Sequence, residues 1–411
     1  MNTAFIRKYF GINDFNALDA LILSTWGVSI VLYYFRTFLS KIIGISSVNN
    51  PIITIIIVSC IVLSIKRLLR IVRFKDILFV CLLIIYYYAC YILYPHNKSN
   101  LDGISEQFLL FALPLYFIGL STDISRHKKM LISLAKISLI TDFIIMFLMG
   151  GINEYGLSGS EADGMSQAYA LLPFCLLLLW NYFENGNKWD LAYAIFSIVM
   201  ILAFGTRGPV FCILSFIILY LLLFREYKRP LLSRSIIVGV GFLFYYFLKE
   251  FMAVLNLFLL SMGMSTRITA SFLEENLSDS NGRDGIAEIV MEGINRAPFW
   301  GNGIAGDRFL RGEGYAHRID LEMMATFGKI PGICIMVLLA YMLILSFRKC
   351  VTKDQALFLL LLVCCCMQLL FSSSFVICPF FFMTIGYAVS INRNKVVHVC
   401  PVKVPDDYYK V

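Results

Sequence analysis

Long apolar runs separated by short polar loops make up most of the chain. Runs of roughly 15–20 apolar residues recur, close to the ~20 residues that an α-helix needs to cross a lipid bilayer. About twelve candidate spans can be counted on this loose criterion. They lie near residues 17–35, 51–65, 77–94, 108–120, 130–148, 166–182, 190–205, 209–224, 235–248, 330–347, 356–370 and 375–391. The pattern predicts an all-α polytopic membrane protein.

Lysine and arginine are concentrated in every second loop, and this asymmetry predicts the orientation of the spans. Such loops cover residues 66–75, 126–129, 225–234 and 348–353. Cytoplasmic loops carry the excess of these two residues, so we expect this side to be cytoplasmic, together with both termini. The loop 150–164 contains three carboxylates and no basic residue, as an outer loop does.

One long polar segment interrupts the apolar pattern between the ninth and tenth spans. The predicted organisation is therefore transmembrane helices one to nine in residues 1–248, a large outer loop in 249–329, helices ten to twelve in 330–391 and a cytoplasmic tail in 392–411. Long loops cross the membrane largely regardless of their charge. The arginines of this loop therefore do not contradict its predicted position on the outer side.

Local signals predict two short helices within this loop. Apolar residues recur at helical spacing from about Arg283, and Pro298 follows the expected end of that helix. A glycine-rich turn is expected over residues 301–306. A second helix is predicted from about His317 to Phe327, ended by Gly328.

Composition and charge exclude several other classes of protein. The 411 residues are 59% hydrophobic with a mean hydropathy of +0.78, which is too apolar for a soluble protein of this length. The net charge of +8 is spread over short loops, so no nucleic-acid partner is expected. The first apolar run lacks a small-residue cleavage site, so no cleavable signal peptide is expected. None of the twelve cysteines lies in a predicted outer loop, which argues against a disulfide framework.

Two arginines are candidates for binding phosphate on the outer side. Arg207 lies in the predicted tight turn Gly205–Pro209, where a guanidinium and free backbone N–H groups together suit a phosphate. The alternative is a cation that anchors a helix at the membrane face. Arg283 begins the first outer helix, whose N-terminus also favours anions. Its alternative is a surface arginine paired with Asp279 or Asp284.

His317 is the only histidine of the long outer loop. At a helix N-terminus the positive end of the dipole favours a neutral imidazole, which can take a proton from an attacking hydroxyl. The predicted helix places His317 on one face with Asp320, Leu321 and Met324. Asp320 or Glu322 is then placed to orient the ring. The alternative is a structural surface histidine.

Asp142 lies next to Thr141 inside the fifth predicted span. A carboxylate within a membrane is costly and often functional. It is equally suited to a hydrogen bond with a neighbouring helix, and the sequence leaves both interpretations open.

The common metal and nucleotide motifs are absent from the sequence. There is no Asp-x-Asp pair for a sugar nucleotide, no Walker loop, no His-Glu-x-x-His and no Gly-x-Ser-x-Gly. A phosphate site in this chain would therefore use arginines, and neither a metal nor a cofactor is expected.

The order of these outer motifs resembles the O-antigen ligase and O-antigen polymerase superfamily of bacterial envelopes. The matching residues are Arg207 in the outer turn, Gly282-Arg283, the stretch from Asn295 to Gly303, His317, and the pair Gly328 and Gly332. The resemblance implies a multi-span helical fold with one large periplasmic loop. It also implies a metal-independent glycosyltransferase whose donor is a glycan on undecaprenyl pyrophosphate.

Residue by residue, the resemblance assigns the pyrophosphate to Arg207 and Arg283 and the role of base to His317. Family members often have Asn directly after the histidine, where this chain has Arg318. They also often have an acid at the place of Thr326, whereas here Glu322 lies one turn earlier. Arg318, Asp320 and Glu322 are accordingly the candidate supporting residues.

The sequence thus predicts a multi-pass enzyme of the bacterial inner membrane, with its active site on the periplasmic side. The expected reaction is polymerisation of lipid-linked repeat units, with a glycan or glycolipid acceptor and a chain-length regulator or flippase as candidate protein partners. One alternative is an O-antigen ligase, which transfers the glycan to lipid A-core. Others are a flippase or transporter, which typically shows internal repeats and broken helices, and a non-catalytic envelope scaffold.

The charge of the outer loop favours the polymerase over the ligase. Residues 249–329 contain eight lysines and arginines and eleven aspartates and glutamates. A ligase acceptor is a large anionic glycolipid and would need a basic entrance. A local basic patch made of Arg308, Arg311 and Arg318 remains an alternative lining for such an entrance.

Overall fold

A computed structural model describes residues 16–30, 62, 64–148, 161–204, 206–224, 248–261, 273, 283–312, 314–350, 352–371 and 373–394. These residues form helices joined by turns, and no strand occurs among them. The α-helices are α1 (Ala17–Ile30), α2 (Phe74–Leu93), α3 (Lys98–Glu106), α4 (Leu115–Ser121), α5 (Ile124–Leu148), α6 (Glu161–Asn185), α7 (Lys188–Ala203), α8 (Arg207–Leu223), α9 (Leu248–Ser261), α10 (Arg283–Arg296), α11 (Gly306–Arg311), α12 (Ile319–Phe327), α13 (Lys329–Lys349), α14 (Thr352–Leu362), α15 (Gln368–Phe371) and α16 (Pro379–Asn394). A 3-10 turn covers Pro95–Asn97, and π-helical segments cover Gln107–Ala112 and Val363–Met367.

The predicted all-α class is confirmed for the described residues. Most predicted spans coincide with helices whose ends differ by up to six residues: α5 begins at Ile124 rather than near residue 130, and α16 begins at Pro379 rather than near residue 375. Residues 373–378 form a turn instead, and proline is well suited to the first position of a helix. The predicted span 108–120 corresponds to the π-helical segment Gln107–Ala112 followed by α4. The predicted span 235–248 and most of the span 51–65 lie outside the described residues.

Three helical segments are long and apolar enough to cross a membrane: Phe74–Leu93, Pro95–Ser121 and Lys329–Lys349. Shorter apolar helices cover Ala17–Trp26, Gly208–Leu223 and Asp354–Leu370. These helices are compatible with membrane association. The count of about twelve spans, counted loosely against bilayer thickness, stays a prediction.

Helix α6 forms the centre of the larger apolar core. Leu171, Phe174 and Trp180 are fully buried, and α6 packs against α5, α7, α8 and α14. A helix that is apolar on all sides is expected to be surrounded by others in this way.

The closest helix pair is α4 and α16, where glycines face each other across the contact. A Cβ added to Gly119 would overlap the carbonyl oxygen of Met383, and a Cβ added to Gly386 would overlap the carbonyl oxygen of Tyr116. Small residues allow two backbones to approach this closely, which is common between membrane helices.

Buried ion pairs connect helix ends at one side of the bundle. Asp76, in the first turn of α2, accepts a hydrogen bond of 2.8 Å from Arg393, in the last turn of α16. Asp19, in the first turn of α1, accepts hydrogen bonds from Arg126 (Nε–Oδ1 2.7 Å) and pairs with His127 (Nε2–Oδ1 3.0 Å). The orientation predicted from the basic loops assigns all of these helix ends to the cytoplasmic side of the membrane.

Candidate functional site

The segment 283–332 folds around a small apolar core of its own. Val290 and Ile294 of α10 pack against Leu321 and Ala325 of α12. Helix α10 begins at Arg283 and ends at Arg296, two residues before Pro298, as the sequence predicts. The short helix α11 between them was not predicted, because six residues are too few to show a helical period.

The predicted glycine-rich turn is confirmed, and it packs along the C-terminal end of α12. The Asn302 N–H donates to the Ala325 carbonyl (2.7 Å), and the Gly303 N–H donates to the Thr326 carbonyl (3.1 Å). Gly328, with φ +93°, ends α12, and an added Cβ there would overlap the Phe299 carbonyl oxygen. The turn and the helix therefore approach backbone to backbone.

Residues near the C-terminal end of α2 contact this turn and α12. The buried Asn97 side-chain amide donates to the Ile304 carbonyl, and Cys90 Sγ accepts from the Ile304 N–H at 3.4 Å. The Tyr86 ring stacks on the Phe327 ring of α12 with centroids 5.5 Å apart. These contacts could not be predicted from the sequence, because Asn97 and Ile304 are 207 positions apart.

His317 lies before α12 rather than on it. Its backbone is left-handed, with φ +60°, and α12 begins at Ile319. The prediction that the helix begins at His317 is therefore wrong, as is the face that His317 was expected to share with Asp320. The imidazole is half-buried and packs on the Tyr315 ring with centroids 4.2 Å apart.

Asp307 fixes the backbone just before His317. Its buried carboxylate accepts a hydrogen bond from the Ala316 N–H, with an Oδ2–N distance of 2.8 Å. This contact holds the chain away from the helical path. A left-handed non-glycine residue costs about 1–3 kcal/mol and persists only where the surroundings impose it. The position of the imidazole is thus determined by α11 and α12 together.

Arg318 and Asp320, two candidate supporting residues, form an ion pair with each other. The Arg318 guanidinium donates from Nε to Oδ1 (3.1 Å) and from Nη2 to Oδ2 (2.6 Å) of Asp320. Both side chains are at the surface. The Asp320 carboxylate is thus engaged by Arg318.

Glu322, the third supporting candidate, is fully buried and connects α12 to the turn before α16. Oε2 accepts from the Phe375 N–H at 2.8 Å, and Oε1 is hydrogen-bonded to the Ser374 hydroxyl. Burial raises the pKa of Glu322 well above its ordinary value, and the nearby Asp307 carboxyl raises it further. Burial also raises the pKa of Asp307. Burial and Asp307 favour a protonated Glu322, and the hydrogen bonds that the Ser374 hydroxyl and the Phe375 N–H donate to it offset the rise of its pKa only in part.

Thr326 occupies the place where the resembling family often has an acid. It is fully buried, and its carbonyl accepts hydrogen bonds from Gly303 and from the Tyr86 hydroxyl (3.4 Å). An acid at this place would lie against α2. The carboxyl of this chain is one turn earlier, at Glu322, and is equally buried.

The Glu322→Gln variant is expected to keep the fold and to flatten the dependence of stability on pH. The folded protein retains a proton that the unfolded chain loses above the ordinary pKa of 4.5. Stability from the protonated carboxyl is therefore full below that pH and falls as pH rises toward the raised pKa. Glutamine is neutral throughout, and it can donate to Ser374 and accept from Phe375.

Thermal unfolding of detergent-solubilised protein between about pH 5 and 8 tests this linkage. The unchanged protein should lose stability with pH more steeply than the Glu322→Gln variant. Glu292→Gln is the control, because Glu292 is exposed and pairs only with Arg296 in the next turn. Equal slopes for all three proteins would contradict the buried, protonated Glu322.

The two candidate phosphate arginines lie at different kinds of position. Helix α8 begins at Arg207, and Gly208 and Pro209 of the predicted turn Gly205–Pro209 already belong to the helix. Free N–H groups and the helix dipole favour an anion at this helix start. Arg283 is the first described residue of α10, and the residues before it lie outside the described part of the chain. The side chains of both arginines, like that of Asp142, also lie outside what the structure describes.

The helices of the three principal candidates belong to one assembly. Helix α10 packs directly against α12, which follows His317. The short helix α15 contacts both α12 and α8, and α8 begins at Arg207. Packing contacts thus connect α10 to α12 directly and α8 to α12 through α15, and the joint site of Arg207, Arg283 and His317 stays a prediction.

Several buried polar atoms around α12 have no hydrogen-bond partner among the described residues. They are Asn302 Nδ2, Asp307 Oδ1, Arg308 Nε and Thr326 Oγ1. Such atoms are uncommon in an apolar interior: Asp307 and Arg308 lie in α11, whereas Asn302 and Thr326 lie at the C-terminal end of α12. In the same part of the chain, no three His, Cys, Asp or Glu side chains are grouped to hold a metal ion.

Comparisons with known proteins return no matching family model, no similar curated protein and no similar solved structure. The function of the chain is therefore inferred from its own residues and their placement.

Proposed function

We propose that the chain is a membrane glycosyltransferase that polymerises undecaprenyl-pyrophosphate-linked repeat units into O-antigen or a capsular or exopolysaccharide. The observation that carries this proposal is the placement of His317. It is half-buried, has a left-handed backbone, and belongs to the polar segment 283–332, in which α12 packs against α10 and contacts α15, which in turn contacts α8. A general base together with the two arginines of α8 and α10 suits the transfer of a pyrophosphate-activated sugar.

In the proposed reaction, a hydroxyl of the acceptor sugar attacks the anomeric carbon of the lipid-linked donor. The bond between that carbon and the pyrophosphate oxygen breaks, and undecaprenyl pyrophosphate leaves with the electron pair. His317 takes the proton of the hydroxyl. Arg207 and Arg283 neutralise the charge that develops on the leaving group. The reaction takes place at the periplasmic face of the inner membrane.

Asp307 positions the base in this mechanism. Its carboxylate holds the Ala316 N–H at 2.8 Å and so sets the backbone that carries His317. The accuracy of such placement affects rate strongly, because reacting atoms must be held close and aligned.

Contacts of the basic patch support the polymerase over the ligase. Arg311 donates to the Tyr315 carbonyl at 2.8 Å, and the Arg308 guanidinium lies over the Tyr315 ring at 5.8 Å. Arg318 pairs with Asp320. The ion pair with Asp320 neutralises one of the three charges of the patch, which weakens its attraction for an anionic lipid A-core. The acceptor that fits better is a second lipid-linked repeat.

Deletion of the gene distinguishes a polymerase from a ligase in cells. Loss of the polymerase should leave single repeat units on the surface lipid, visible by gel electrophoresis of the surface glycan. Loss of all surface glycan, with long chains accumulating on undecaprenyl pyrophosphate, would instead identify the ligase.

Arg207→Ala is expected to lose most polymer while the protein reaches the membrane in normal amounts. Arg207→Lys should also be impaired, because lysine keeps the charge but loses the bidentate fork of the guanidinium. Polymer length in membranes that contain equal amounts of each protein is the measurement. Full polymer from a well-expressed Arg207→Ala protein would refute the role of Arg207.

A further inference from the structure

Two adjacent aromatic side chains of the outer segment are exposed. Phe299 is 55% exposed and Trp300 is 69% exposed. Their rings pack edge to face, with centroids 4.9 Å apart and planes at 83°. Val290 and Leu321 are buried in the core of the segment, whereas Ile289 and Phe309 are exposed at lower fractions than Trp300. A large paired aromatic surface of this kind usually marks a contact with a partner or a membrane.

The backbone holds the two rings outward in a fixed turn. The Gly301 N–H donates to the Pro298 carbonyl at 2.8 Å. The Phe299 carbonyl lies directly against Gly328, and Asn302 is hydrogen-bonded to Ala325. The exposure of the rings thus follows from a turn that is attached to α12.

This turn lies at the beginning of α13, one of the helices that can cross a membrane. Gly328, which contacts the turn, is directly followed by Lys329, the first residue of α13. The outer turns of α13 expose Ile330 and Ile333, and exposed apolar residues continue along the helix at Val337, Leu338, Tyr341 and Ile344. The aromatic pair therefore lies next to the first turn of a helix whose exposed side chains are apolar and which is long enough to cross a membrane.

We propose that Phe299 and Trp300 insert into the outer leaflet of the lipid bilayer and anchor the segment 283–332 at the membrane surface. Tryptophan is enriched at the level of the lipid headgroups, where its ring is in an apolar layer and its N–H reaches water. Lys329, whose ammonium donates to Asn295 Oδ1 at 2.8 Å, provides the polar boundary next to the pair. The occupant is the bilayer, since the turn that carries the pair contacts Gly328, directly before α13, and α13 is long and apolar enough to cross a membrane.

The insertion deepens the proposed reaction, because the scissile bond of a lipid-linked donor lies just above the membrane surface. A segment anchored by Trp300 would keep His317 at that height. The insertion itself requires only that α13 crosses the membrane, and its test does not involve glycan transfer.

Tryptophan fluorescence in reconstituted vesicles tests the insertion. The full-length protein and its Trp300→Phe variant are placed in phosphatidylcholine–phosphatidylglycerol vesicles with or without brominated acyl chains. The difference between the two proteins isolates the emission of Trp300 from that of the other three tryptophans. Iodide in the outer solution probes exposure to water, and Trp300→Phe keeps an apolar ring in place.

The Trp300 emission should lose most of its intensity in brominated vesicles and little in iodide. Strong quenching by iodide without quenching by brominated lipid would place the pair in water and overturn the proposal. Protection from both quenchers would also overturn it, since the pair would then be covered by protein. Since the readout is fluorescence, it stays decisive even if the chain transfers no glycan.

Discussion

Replacing His317 with asparagine is expected to abolish glycan transfer while leaving the binding of the lipid-linked donor nearly intact. Asparagine tolerates a left-handed backbone better than most residues, so this variant keeps φ near the observed +60° and removes only the imidazole. Loss of a general base lowers rates by about 10²–10⁴-fold. His317→Ala should be equally inactive, but part of its loss would come from the strained backbone.

Polymer formation and donor retention must be measured on the same membranes. His96→Ala is the control, since His96 packs on Phe309 of α11 with ring centroids 4.2 Å apart and has no proposed role in transfer. It should retain polymer of normal length. If His317→Asn lost donor binding as completely as transfer, His317 would be a binding residue rather than the base.

The second large effect is expected from Gly328→Ala, which should detach the glycine-rich turn from α12. A methyl group at Gly328 would overlap the Phe299 carbonyl oxygen and approach the Gly301 nitrogen. Neither group can move easily, because both belong to a backbone that Asn302 and Gly303 bind to α12. We expect loss of activity and increased proteolysis between residues 298 and 306.

Gly312→Ala separates this steric effect from backbone strain. Gly312 has nearly the same φ, +89° against +93°, but nothing lies within 4 Å of an added Cβ. That variant should show only conformational strain, about 1–3 kcal/mol. Limited proteolysis and thermal unfolding of the two purified variants give the comparison. Equal damage in both would mean that the backbone contact at Gly328 is unimportant.

Local sequence patterns predicted the long helices, because each is encoded by its own apolar run, whereas the helices α3, α9 and α11 were not predicted. The end of α10 before Pro298 and the end of α12 at Gly328 follow from proline and glycine signals within a few positions. The glycine-rich turn was predicted from the three glycines at positions 301, 303 and 306.

The errors and omissions arise from contacts between distant residues. His317 was placed on a helix because its neighbours have helical spacing, but Asp307, nine residues earlier, binds the Ala316 N–H and redirects the chain. Glu322 was expected to orient His317, whereas its carboxyl is engaged by Ser374 and Phe375, more than fifty positions away. No local pattern contains these partners, so the detailed surroundings of the candidate base could not be predicted from the sequence.

The central claim is that this chain alone joins lipid-linked repeat units, and reconstitution tests it most directly. Purified protein in vesicles is given undecaprenyl-pyrophosphate-linked repeat units on its outer-loop side, in the presence of EDTA. The account predicts a ladder of longer lipid-linked glycans from the unchanged protein and none from His317→Asn. Donor that crosses the bilayer but keeps its original length would identify a transporter and contradict the account.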